Sequence, residues 1–113
     1  MSTTVSGSAG VVTQLIQLSA PLTKTADYSI GTSDASIICN GSGTITLTLP
    51  TASSYSGRFL FIKTIAAQLV NSASSNVCPS TSATPGTAIL TNTAGKWAIL
   101  QSDGTNWIVM AAN

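Results

Sequence analysis

The chain contains no histidine and no glutamate. Only seven of its 113 residues are charged: Lys24, Arg58, Lys63, Lys96, Asp27, Asp34 and Asp103. Each of these shortages removes a class of chemistry. A hydrolytic triad needs an imidazole or another base beside its nucleophile, and the chain has no imidazole. Paired-carboxylate catalysis needs two acids at a set separation. The three aspartates instead sit beside turn-forming residues, where a short carboxylate caps backbone N–H groups. A structural zinc site needs three or four thiolate, imidazole or carboxylate ligands, and two separated cysteines do not supply them. No glycine-rich phosphate loop is present, and the four basic residues form no run. Phosphate binding and nucleic-acid binding by charge neutralisation therefore have no basis. The sequence gives no reason to expect an enzyme, a metal or a cofactor.

Long apolar runs are missing too. A bilayer-spanning helix needs about 20 consecutive apolar residues, and no stretch approaches that length. The start of the chain has neither a basic segment nor an apolar one of the secretory kind, so synthesis in a cytoplasm is expected, with exit only by assembly or lysis. Cys39 and Cys78 are too few for a disulfide framework. Buried thiols are the simplest reading, with a Cys39–Cys78 bridge as the alternative.

What the chain does have is hydroxyl groups and apolar side chains. Serine and threonine number 34, and 43% of the residues are hydrophobic. Disorder ordinarily requires low hydrophobicity with high net charge, and neither holds at a net charge of +1. The length suits one domain with one core. A nearly uncharged surface offers little repulsion between copies, so assembly is expected.

Residues 1–10 are small and polar and read as an arm. In residues 11–18, Val11, Val12, Leu15, Ile16 and Leu18 fit either a strand or one face of a short helix. Beyond Pro21 the pattern becomes short β-type runs between turn residues. Residues 26–30 and 35–39 are strand candidates, the second followed by Asn40-Gly41, a hairpin signal whose loop could extend to Gly43. Residues 44–49 alternate cleanly, with Ile45, Leu47 and Leu49 on one side and threonines on the other. Residues 58–64 carry Phe59 and Phe61 on one face and Leu60 and Ile62 on the other. Residues 66–71 and 87–91 are weaker strands. Val77 and Cys78 are pinned inward within an otherwise loop-like stretch. Residues 96–102 and 106–111 form a hairpin around Asp103-Gly104. The expected fold is all-β, a small antiparallel sandwich or barrel formed by residues 21–113, with residues 1–20 as an arm.

The last hairpin points to assembly. Trp97 and Ile99 share one face of their strand while Ala98 and Leu100 share the other. Trp107 and Val109 likewise oppose Ile108 and Met110. A two-layer sandwich covers only one face of each sheet, so strands apolar on both faces need a second cover. Trp97, Ile99, Trp107, Val109, Phe59 and Phe61 are the candidate interface between copies. Carbohydrate is the other partner to weigh, because Trp97, Trp107, Tyr28 and Tyr55 could supply an aromatic platform. Packing of both tryptophans in the core is the competing reading. Tyr55, in a polar loop, is the candidate glycan contact.

The order of segments resembles a β-module of phage virion proteins, found in tail fibres, tailspikes and small capsid-attached proteins. The matching pieces are Asp27-Tyr28, Thr46 to Pro50 (TLTLP), Gly57 to Lys63 (GRFLFIK) and Ser102 to Trp107 (SDGTNW). Together they cover roughly residues 26–111. The resemblance implies a β-rich virion structural protein, commonly a homotrimer, without catalysis. Residues 66–94 depart from the pattern, since they lack its acidic residues and carry a Ser/Thr/Pro-rich loop. The chain shows no coiled-coil heptads and no collagen-like run, so a capsid decoration or cement protein is expected. Its partners would be two further copies and the major capsid protein or other virion proteins. Val11, Val12, Leu15, Ile16 and Leu18 are the candidate capsid anchor, able to add a strand to a neighbouring sheet. A short tail-fibre or tail-tip protein binding host glycans is the alternative.

Overall fold

The computed structural model describes residues 18–113. Ten strands run in chain order: β1 (Leu22–Lys24), β2 (Tyr28–Ser29), β3 (Ser36–Cys39), β4 (Ile45–Thr48), β5 (Phe59–Thr64), β6 (Val70–Ser72), β7 (Val77–Cys78), β8 (Ala88–Leu90), β9 (Trp97–Ser102) and β10 (Trp107–Ala112). They form two sheets, the larger ordered β1-β3-β5-β9-β10-β7 and the smaller β2-β4-β6-β8.

The first six strands alternate between the sheets, odd ones in the larger and even ones in the smaller. Neighbours in each sheet are therefore separated by a full circuit of the chain and run parallel, as β1-β3-β5 and β2-β4-β6 do. Only β5-β9, β9-β10 and β6-β8 pair antiparallel. The all-β, two-sheet architecture agrees with the sequence pattern, but the antiparallel pairing is corrected to a mixed one. Alternation along a strand reports which face is buried; it does not report which strand lies alongside.

The Asn40-Gly41 hairpin is corrected for the same reason. The β3 and β4 strands that flank it lie in different sheets, and the residues between them carry the chain across. Gly41 does not have the positive φ of a tight hairpin turn; Gly57, Gly95 and Gly104 do. Gly41 is required by a close approach instead, since a Cβ there would lie 2.6 Å from the Thr25 carbonyl oxygen. The weak strand expected at residues 66–71 narrows to β6, and β1 had no signature of its own beside Pro21.

Each crossing leaves backbone groups outside the ladders, and side chains take them up. Asp27 Oδ1 accepts a bond from Thr46 N at 2.8 Å. Asp34 Oδ2 accepts from Gly31 N at 2.7 Å and from the Tyr28 hydroxyl at 2.5 Å. Arg58 Nη2 donates to the carbonyls of Gly31 and Asp34, both at 2.7 Å, and ties that turn to β5. Buried Gln68 accepts from Gly41 N at 2.8 Å and donates to the Gly43 carbonyl, holding the β3-β4 crossing from within.

Between the sheets lie Ile37, Ile45, Leu47, Leu60, Ile62, Val70, Val77, Leu100 and Trp107, all 0–1% exposed. Residues 44–49 keep their expected alternation, with Ile45, Leu47 and Leu49 buried. Val77 and Cys78 are both buried, as their isolation in a polar loop suggested. Trp107 stacks its area into the centre, and its indole N–H reaches the Pro50 carbonyl at 2.8 Å. That bond satisfies the one polar atom a buried tryptophan brings.

Gly41→Ala should destabilise the fold by about 1–3 kcal/mol, the ordinary cost of forcing atoms into filled space. Gly43→Ala should leave it nearly unchanged, since nothing lies within 4 Å of a Cβ at Gly43. Urea unfolding of the two variants beside the parent checks the contrast.

Candidate functional site

The larger sheet has a second face turned away from the core. On β5 and β9 the parity is fixed by the buried residues: Leu60, Ile62, Ala98 and Leu100 point inward. Phe59, Phe61 and Lys63 therefore point outward, as do Trp97, Ile99 and Gln101. Register sets Phe61 directly opposite Ile99 and Lys63 opposite Trp97. Ser36 lies beside Phe61 and Ile38 beside Lys63 on the parallel side. On β10, Ile108 pairs with Gln101, and a bulge between Val109 and Ala111 displaces Met110.

The result is an apolar face with little polar relief. Phe59, Trp97 and Met110 are 45%, 39% and 56% exposed. The rings of Phe59 and Phe61 stack at 6.3 Å between centroids. Pro21, Ile38, Phe61, Lys63, Trp97 and Ile99 line a shallow concavity of about 370 Å³ on this face. Lys63 is its only charged group.

Of the candidate interface residues, the structure brings four to this face: Phe59, Phe61, Trp97 and Ile99. Trp107 and Val109 are corrected: they are 0% and 9% exposed, inside the subunit. On β10 both faces are apolar, so hydrophobic pattern could not decide which side turned inward. The Pro50 carbonyl and the space between the sheets decided it for Trp107. Ile38 and Ile108 belong to the outer face and were missed. The signal for Ile38 was the adjacent pair Ile37-Ile38, apolar on both sides of one strand.

Val11, Val12, Leu15 and Ile16 of the candidate anchor lie outside the described residues; Leu18 is 50% exposed. Tyr55, the candidate glycan contact, is half-buried, and the Arg58 guanidinium lies 4.7 Å from its ring centroid, over one face. A sugar could reach only the other face. Cys39 and Cys78 are free and buried. Burial pushes the Cys39 thiol up to about 11.

A second concavity, of about 450 Å³, lies between the Pro79–Ala83 loop and Asp103, Asn106 and Ile108. Its carboxylate is already engaged: Asp103 Oδ1 accepts from Thr105 N at 2.9 Å and Asn106 N at 2.8 Å. Those bonds hold the Asp103 carboxyl below its ordinary range. Asp34 is lowered as well, first by the Tyr28 hydroxyl and then by Gly31 N. Asp34 and Asp103 thus hold the backbone of their own turns, as the sequence suggested, whereas Asp27 is corrected: it reaches Thr46 N on a distant strand. No group of three metal-ligating side chains occurs among the described residues. Compared with protein-family models, with curated proteins and with solved structures, the chain matches none.

A carboxylate lowered by folding stabilises the fold above its unfolded value, and that contribution disappears as pH falls through the folded value. For Asp34 and Asp103 the unfolded value is about 3.9. Thermal midpoints should therefore hold between pH 7 and 5 and decline below about pH 4. Asp34→Asn and Asp103→Asn should each flatten part of that decline, which scanning calorimetry across pH would show.

Proposed function

We propose that the chain is a structural protein of a phage virion that assembles as a homotrimer and decorates the head. The observation that carries this reading is the apolar outer face of the larger sheet. Leaving Phe59, Phe61, Trp97, Ile99 and Met110 in water is unfavourable by roughly 25 cal/mol per Å² of apolar area. A neighbouring copy removes that cost, and a net charge of +1 sets up little repulsion against its approach.

The resemblance to phage β-modules supports the virion setting. Its residues are fasteners of the fold. Asp27 bonds Thr46 N, Pro50 receives the Trp107 indole, Arg58 ties down the Gly31–Asp34 turn, and Asp103 closes the last hairpin. Segments that share these fasteners would share the scaffold, while partner choice would reside in the outer face and the N-terminal residues. The same commitment of every aspartate to backbone supports a binding role over a catalytic one. Docking on the head is assigned to the N-terminal end of the chain.

Light scattering of the purified protein should give about three times the chain mass of 11.4 kDa. Phe61→Glu and Trp97→Glu should shift the mass to one chain while the β-type circular dichroism is kept. A single-chain mass for the parent protein overturns the trimer. Cosedimentation with phage heads tests docking, and failure to cosediment removes the decoration role.

A further inference from the structure

We propose that the concavity on the outer face is filled by residues 11–17 of a neighbouring copy, so that the trimer is held by exchanged N-terminal segments. This inference rests on the trimeric reading above and names what occupies its interface.

Pro21 lines the concavity, but Leu18 is not among its lining residues and is 50% exposed. Between them, the Ser19 hydroxyl donates to the Ser33 carbonyl in the turn ahead of β3. Followed backward over the described residues, the chain passes from the lip of the concavity at Pro21 to a fastening on the turn ahead of β3 and ends at an exposed Leu18. The described chain therefore begins beside an apolar hollow, with an exposed apolar residue outside it. A three-fold assembly sets another such hollow against each subunit.

The composition of residues 11–17 suits this place. They read VVTQLIQ, with Val11, Val12, Leu15 and Ile16 apolar and no charge. The first charged residue of the whole chain is Lys24. Laying this segment on the face buries apolar area without desolvating an ion. Lys63, at the rim, can extend its ammonium to water while its stem packs. Length suits as well. Seven extended residues span about 23 Å at about 3.3 Å each, whereas the concavity crosses β3, β5 and β9, or about 10 Å between outer strand axes. Residues 1–10 then remain for contact with the head, and the apolar part of the candidate anchor binds a sister subunit.

Disulfide trapping tests the exchange in the full chain. Cys39 and Cys78 are buried in the folded chain, so refolding is carried out under reductant and oxidation follows it. A chain carrying Ile16→Cys is mixed in the unfolded state with one carrying Ile99→Cys, refolded together and mildly oxidised. Disulfide-linked pairs containing one of each chain are expected. The chain with both substitutions should convert mostly to covalent trimers. Closure of the doubly substituted chain on itself as a monomer overturns the exchange. A second pair, Val12→Cys with Lys63→Cys, guards against poor geometry at one position, and absence of linkage in both pairs also overturns it. Light scattering before oxidation separates the two failures: three chains without linkage sinks the exchange alone, and one chain sinks the trimeric reading.

Discussion

The winding of the chain between two sheets imposes a demand that the rest of the structure answers. Each passage from one sheet to the other leaves amide and carbonyl groups without a ladder partner, and side chains must supply the partners that fix those turns. A chain with seven charged residues has few strong hydrogen-bonding groups to spend on this. It places them at the crossings. Asp27, Asp34 and Arg58 hold backbone of the first circuits, and Gln68 reaches from inside to hold the third. The scarcity of charge and the fixed place of nearly every charge are two sides of one constraint.

This use of polar groups leaves little for recognition by charge. The outer face of the larger sheet is correspondingly apolar, with Lys63 at its rim. Its shape comes from register: Phe61 opposite Ile99 and Trp97 opposite Lys63 leave a hollow bounded by Ile38 and Pro21. The bulge at Met110 shifts the register of β10 against β9, and pairing resumes at Ala111 opposite Ile99. A surface of this kind selects a partner by shape and apolar area rather than by charge.

The motifs that resemble phage β-modules take on a physical meaning in this light. The TLTLP strand ends at Pro50, whose carbonyl receives the Trp107 indole from the SDGTNW hairpin. The two motifs are far apart in sequence and in contact in the fold. The Arg58 of GRFLFIK spans from β5 to the turn after β2. These residues close two sheets around a core, while Phe59, Phe61 and Lys63 of the same GRFLFIK segment turn to the outer face.

Strand positions were largely legible because alternation is a local property of an extended chain. Residues 44–49, 58–64 and the hairpin around Asp103 follow directly from it, and the turn-capping of Asp34 and Asp103 was equally local. The apolar character of both faces was legible too, because adjacent apolar residues in one strand must occupy both faces. Which face became the core was not: Trp107 and Ile108 are equally apolar, and only the position of the smaller sheet and the Pro50 carbonyl separated them. The parallel pairing was likewise decided in three dimensions, since nothing local marks a strand whose partner lies a full circuit away. Gly41 shows the difference most plainly. Beside Asn40 it carries the local signal of a hairpin, yet it is glycine because the Thr25 backbone passes within 2.6 Å of where a Cβ would be. Sequence determined the strands and their two-sidedness; tertiary packing decided their neighbours, because proximity between distant segments is not encoded in any local period.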